Sequence, residues 1–157
     1  MRIIKYQMKI NEKEQITLVK EASHNFPLEY DIKNPTGAAQ VLNQLYGLKD
    51  MAEEYFYMLA LGRRKILGVF ELSHGGASMT PASSRTMFMA ALLAGATCII
   101  AAHNHPSGSL YPSEDDIRAT KQIQEAGQLL EIPLLDHIIV AHGTDRFYSM
   151  RENGYIK

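Results

Sequence analysis

The chain is predicted to adopt an α/β layered fold. Three features carry that expectation: apolar runs of strand length, amphipathic stretches of helix length, and the alternation of the two along 157 residues. A composition of 46% apolar and 21% charged residues is that of an ordinary globular domain able to bury a core without disulfide staples.

Residues 1–30 are the least legible stretch, and only Ile16-Thr17-Leu18-Val19 suggests a strand. Asn34-Pro35-Thr36 reads as a helix start, with Asn34 or Thr36 as the cap. Beyond it Ala38, Val41, Leu42, Leu45 and Tyr46 recur at helical spacing as far as Gly47. Glu54 opens an aromatic-rich strand through Leu61, Gly62-Arg63-Arg64 makes a turn, and residues 65–72 return as the second arm of a hairpin. Gly75-Gly76 breaks the pattern. Ser83 or Ser84 then caps a helix through Met87, Phe88, Ala91 and Leu92 that stops at Gly95. An apolar strand over residues 97–102 follows, then a loop. Next comes a helix over residues 114–130 that turns Ile117, Thr120, Ile123, Gly127 and Leu130 inward. Residues 134–140 and 147–150 read as the last strands, separated by the turn His142-Gly143-Thr144-Asp145.

Several classes are disfavoured. The single cysteine, Cys98, lies in an apolar run, reads as a small core residue, and points to a reducing compartment. No signal-peptide pattern opens the chain and no apolar run reaches the length of a membrane span, so a cytoplasmic protein with no membrane partner is expected. A net charge of −1 and scattered Lys and Arg offer no basic stripe for nucleic acid.

The most informative segment is residues 103–116, His-Asn-His-Pro-Ser-Gly-Ser-Leu-Tyr-Pro-Ser-Glu-Asp-Asp. Side chains at i and i+2 of a strand share a face, so His103 and His105 aim together where a Pro/Gly/Ser turn begins. Pro106 ends the strand's hydrogen-bond ladder, Gly108 lets the chain reverse, and the loop is long enough to return Asp116 to the imidazoles. Two imidazoles, one carboxylate and a vacant fourth position make a catalytic zinc site. The Ser113-x-x-Asp116 spacing is also that of a capping box, which would fix where Asp116 points. His24, His74 and His142 read as surface or turn residues, and Met51, Met58, Met79, Met87 and Met89 as core filler.

His103-x-His105-Pro106, ten residues from His105 to Asp116, and Ser113-x-x-Asp116 together resemble the JAMM motif of the JAB/MPN metallopeptidases. With His-Asn-His-Pro-Ser-Gly, Pro-Ser-x-x-Asp and Leu135-Asp136-His137-Ile138-Ile139-Val140, the chain is similar to the RadC-like branch from about Asn34 onward. The resemblance implies a cytidine-deaminase-like α/β sandwich, with a central mixed β-sheet flanked by helices, over residues 31–157 behind an N-terminal extension of residues 1–30. It also implies one Zn²⁺ on His103, His105 and Asp116, and hydrolysis of peptide or isopeptide bonds in a peptide or protein substrate. The pattern requires an upstream glutamate as general base: Glu54, at the head of an apolar strand, is preferred over Glu71, with Glu53 the fallback. Ser113 would stabilise the oxyanion, and His137 is a candidate to support the site. Ser83-Ser84-Arg85-Thr86 stands where related chains carry His-Pro-Arg-Glu, a departure that touches substrate handling and none of the ligands. The helix-hairpin-helix region that precedes the domain in long relatives is not expected here.

Two other functions compete. The branch carries a DNA-repair label, which would suit a metal-dependent nuclease, but the adjacent His-Asn-His letters do not match the dispersed residues of HNH nucleases. A JAB module acting only as a silent scaffold is the other. Zinc deaminases share the implied fold, yet their Pro-Cys-x-x-Cys signature is missing from a chain with one cysteine.

Overall fold

A computed structural model describes residues 1–27, 31–32, 34–63, 65–75 and 83–157. Arg64, Gly76 and Met79, singled out in the sequence, lie outside the described residues. Seven strands are formed: β1 (Arg2–Ile10), β2 (Ile16–Asn25), β3 (Glu54–Leu61), β4 (Ile66–Gly75), β5 (Cys98–His105), β6 (Leu134–Ala141) and β7 (Phe147–Ser149). Three helices join them: α1 (Pro35–Tyr46), α2 (Ser84–Leu93) and α3 (Glu114–Leu129), with a 3-10 turn at Leu48–Asp50. The strands make one mixed sheet in the order β2-β1-β4-β3-β5-β6-β7, parallel at β1/β4 and β5/β6 and antiparallel elsewhere.

Strand alternation divides the core into two halves. Tyr57, Leu59 and Leu61 of β3 and Ile100 and Ala102 of β5 pack with Ala38, Val41 and Leu42 of α1. Phe56, Met58 and Ala60, with Ile99 and Ala101, pack on the other face with Met87 and Phe88 of α2 and Ile123 of α3. Both faces of the central strands are covered, which explains their near-continuous apolar sequence. Asn34 caps α1 by accepting from the Gly37 N–H at 2.6 Å. Ser83 stands at the N-cap of α2 but makes no side-chain cap bond.

Residues 1–25, where only 16–19 suggested a strand, fold as β1 and β2, an antiparallel pair at one end of the sheet. Their period-2 signal is weak because much of both strands is solvent-exposed. In α3, Thr120, Ile123 and Gly127 face inward as the periodicity predicts. Leu130, however, follows the helix as its C-cap and is 40% exposed. Gly127 is required sterically, since a Cβ there would sit 2.6 Å from the Ile132 carbonyl oxygen. Met58 and Met87 are fully buried core residues.

Lys5 of β1 ties this hairpin to β4. Its Nζ lies 2.8 Å from Glu71 Oε2 and 3.3 Å from Glu21 Oε2, and the Tyr57 hydroxyl donates to Glu71 Oε2 at 3.1 Å. Burial alone would raise the Glu71 carboxyl, but Lys5, His74 and Tyr57 outweigh it and hold it below its ordinary value of 4.5. The stability this group contributes is therefore complete above that value and is lost as pH falls through the lower folded one. Replacing Lys5 by Met should destabilise the fold by about 1–3 kcal/mol at neutral pH, read by urea denaturation, because it strands a half-buried carboxylate. The deficit relative to the unsubstituted chain should shrink once the pH is low enough to protonate Glu71.

Candidate metal centre

The site forms where β5 ends. His103 is buried among Phe56, whose ring stacks on it at a centroid distance of 5.8 Å, and His137. His105 is the strand's last residue, beside the turn closed by the Gly108 N–H donating to the His105 carbonyl at 3.0 Å. Gly108 has φ +80°, a backbone conformation that suits glycine. Both imidazoles lie on the α2/α3 face of the sheet, as the alternation predicts.

Asp116 reaches them from the first turn of α3. Its backbone N–H donates to Ser113 Oγ at 3.2 Å, while its Oδ2 accepts from the Ser113 N–H at 2.7 Å. This is the reciprocal capping box read from Ser113-x-x-Asp116. The Ser113 hydroxyl also donates to Oδ2, at 2.6 Å. The carboxylate is thus aimed by the helix start.

Three side chains converge. His103 Nε2 lies 2.9 Å from His105 Nε2 and 3.1 Å from Asp116 Oδ1, and His105 Nε2 lies 3.4 Å from Asp116 Oδ2. Zinc with bonds of about 2.0–2.1 Å in tetrahedral array separates its ligands by about 3.3 Å, so the spacing is that of a metal triad. His105 Nδ1 lies 3.0 Å from the Ser109 carbonyl, which holds a proton there and makes Nε2 the nitrogen available to a cation. No other group of three or more ligating side chains forms among the described residues.

Burial and close partners act on these groups in opposite senses. Burial would raise the Asp116 carboxyl, but the close imidazoles of His103 and His105, with Ser113, outweigh it and hold it far below the usual carboxylate range. Burial would lower His105, yet Asp116, the Ser109 carbonyl and the charge of Glu54 raise it. His137, fully buried, is pushed well below its ordinary value by desolvation and then by His103. Its Nε2 lies 2.8 Å from His103 Nδ1.

Glu54, the preferred base, begins β3 with the same face parity as Phe56, whose register partner is His103. It lines a cleft of about 560 Å³ together with Gly75, His105, Tyr111, Ser113 and Asp116. Glu53 also borders this cleft, one residue out of phase with the ligand face. Glu71 is on the α1 side with Tyr57 and Lys5, across the sheet from His103. His24 stacks edge-on with Tyr46, His74 bonds Glu71, and His142 contacts the Lys49 carbonyl; none joins the triad.

Sequence reasoning overlooked Asn104. Fully buried on the α1 face between the two ligands, its Oδ1 accepts from the Tyr55 N–H at 2.7 Å, and its Nδ2 donates to the carbonyls of Glu53 at 2.9 Å and Met51 at 3.4 Å. It therefore grips the peptides on both sides of Glu54. The signal was present as a polar residue inside an otherwise apolar strand, a position that requires internal partners.

These features define a class: an α/β sheet protein with a His-x-His pair and an aspartate that could hold a metal ion at a strand end, and a glutamate in the adjoining cleft. The sequence profile of the RadC-like JAB domain matches residues 32–155, and the chain belongs to that family. A UPF0758 protein of Thermosynechococcus vestitus is 44% identical over 122 residues, covering 77% of this chain and 47% of its own length. One from Alkaliphilus metalliredigens is 34% identical over 139 residues, covering 88% and 56%. Another, from a Cyanothece strain, is 38% identical over 140 residues, covering 87% and 56%. The chain spans about half the length of the curated relatives it matches. Among the described residues no helix is long and apolar enough to cross a membrane.

Asn104→Ala leaves all three ligand atoms in place but strips the 51–55 backbone of its buried partners. It should cost about 1–3 kcal/mol in denaturant titrations, with hydrogen exchange at the Tyr55 amide accelerated and metal uptake retained.

Proposed function

We propose that this domain is a zinc-dependent hydrolase of peptide or isopeptide bonds. The observation that carries this reading is that Glu54, His105 and Asp116 line one cleft, with the buried His103 behind them completing the group of three possible ligands. His103 Nε2, His105 Nε2 and one Asp116 oxygen would hold the ion. A zinc ion there, when bound, supplies Lewis acidity toward the substrate carbonyl and lowers the pKa of water to about 7.

The chain's own residues then handle protons and charge. Glu54 takes a proton from the attacking water as its oxygen bonds to the amide carbon. The same carboxyl delivers that proton to the amide nitrogen as the C–N bond breaks, releasing an amine and a carboxylic acid. Ser113 borders the cleft, and its hydroxyl stabilises the charge developing on the carbonyl oxygen once it turns from Asp116 Oδ2. The turn after β5 and Tyr111 form the wall against which a peptide would lie.

The cleft chemistry supports an amide over a phosphodiester. Its lining carries Glu53, Glu54, Asp115 and Asp116 and, among the described residues, no Lys or Arg. A polyanionic strand would meet repulsion there and find none of the cationic contacts that nucleic-acid binding relies on.

The test uses zinc-loaded protein against internally quenched peptides and lysine-ε-amide isopeptides. Glu54→Gln should retain stoichiometric zinc and lose about 10²–10⁴-fold in turnover, whereas His103→Ala or Asp116→Ala should lose the metal by elemental analysis. Undiminished cleavage by the Glu54→Gln protein would reject the assignment of the base. Failure of the zinc-loaded chain to cleave any member of either set would favour a silent scaffold.

A further inference from the structure

Behind His103 runs a chain of hydrogen bonds that returns to the other end of the triad. Thr120, one turn after Asp116 on α3 and 1% exposed, places Oγ1 2.6 Å from the Asp116 carbonyl oxygen and 2.7 Å from His137 Nδ1. A hydroxyl has one proton, and a carbonyl oxygen can only accept. The Thr120 proton must therefore point at the Asp116 carbonyl, and the Thr120 oxygen must accept from His137 Nδ1–H. His137 is fully buried, and among the described residues its ring bonds Thr120 and His103 and no carboxylate, so one ring nitrogen alone carries a proton. Its other nitrogen, Nε2, is accordingly an acceptor, and the 2.8 Å contact with His103 requires the proton on His103 Nδ1. That leaves the lone pair of His103 on Nε2, the atom that faces His105 and Asp116.

The alternative wiring is equally short and excludes metal. With the proton of His137 on Nε2, His103 would accept at Nδ1 and carry its own proton on Nε2, directed at Asp116 Oδ1 3.1 Å away. A satisfied hydrogen bond would then occupy the space where a cation must sit. The two arrangements differ in one orienting contact, the hydroxyl of Thr120.

We propose that Thr120 and His137 are positioning residues that hold His103 in its metal-binding tautomer, through a directional relay anchored on the backbone carbonyl of the third ligand, Asp116. The inference rests on the metal-site reading above and adds to it which residues outside the triad set its affinity. It also explains a buried threonine and a buried histidine that face each other inside an apolar layer. An apolar pair would pack there without the cost of burying three polar atoms.

The experiment measures Zn²⁺ affinity by chelator competition for the unsubstituted chain, Thr120→Val and Thr120→Ser. Valine keeps the shape and removes the hydroxyl, so binding should weaken by about 10–100-fold, the usual effect of losing a partner behind a metal ligand. Serine restores the hydroxyl and should bind close to the unsubstituted level. In parallel, long-range ¹H–¹⁵N correlation spectra of the metal-free unsubstituted chain should show His103 protonated at Nδ1 and His137 protonated at Nδ1. Equal zinc affinity in the valine variant, or a His103 proton on Nε2 in the metal-free chain, would overturn the relay. A chain that binds no zinc at all would instead defeat the metal-site reading, and the imidazole spectrum would still decide the relay.

Discussion

The antiparallel pairing of β3 with β5 is the constraint on which the site depends. Its register sets Phe56 opposite His103, so the head of β3, with Glu54, meets the end of β5, with the two histidines. Because side chains alternate, one strand serves two purposes over three consecutive residues. His103 and His105 converge on one face, while Asn104, on the reverse face, ties down the backbone around Glu54. A slip of one residue would exchange these roles and bury two imidazoles against α1.

The second requirement is a carboxylate brought from elsewhere in the chain, and a helix start supplies it. The capping box at Ser113 and Asp116 satisfies free N–H groups at the head of α3 and also fixes the angle at which Asp116 meets the imidazoles. The same geometry thus caps the helix and places Asp116 in the group that could hold a metal. Thr120, bonding the Asp116 carbonyl one turn on, continues that economy: the first turns of α3 carry a ligand, its orienting serine and the anchor of the relay to His103.

Away from the site, the N-terminal hairpin is joined to the sheet at β1/β4, where Lys5 is opposite Val69, and by the Lys5–Glu71 ion pair. Glu71, the alternative to Glu54 in the sequence, lies on the other face of the sheet. It lies in a strand neighbouring Glu54 and has the right chemistry for a base. Its carboxylate is instead shared by Lys5, His74 and Tyr57 on the far side of the sheet. The hairpin strands were hard to read for a related reason: an exposed end of a sheet has little apolar alternation to betray it.

Sequence alone determined the alternation of strands and helices, the shared aim of His103 and His105, and the cap that presents Asp116. All three are local: they follow from periods of 2.0 and 3.6 residues and from a four-residue capping box. Tertiary structure decided what local periodicity does not encode. It put Glu54 in the cleft and Glu71 on the other sheet face, brought Asn104 against the backbone at residues 51–55, and closed the path from His103 through His137 and Thr120 to Asp116. These contacts join residues far apart in the chain, and a buried polar atom finds its partner only once the layers have packed around it.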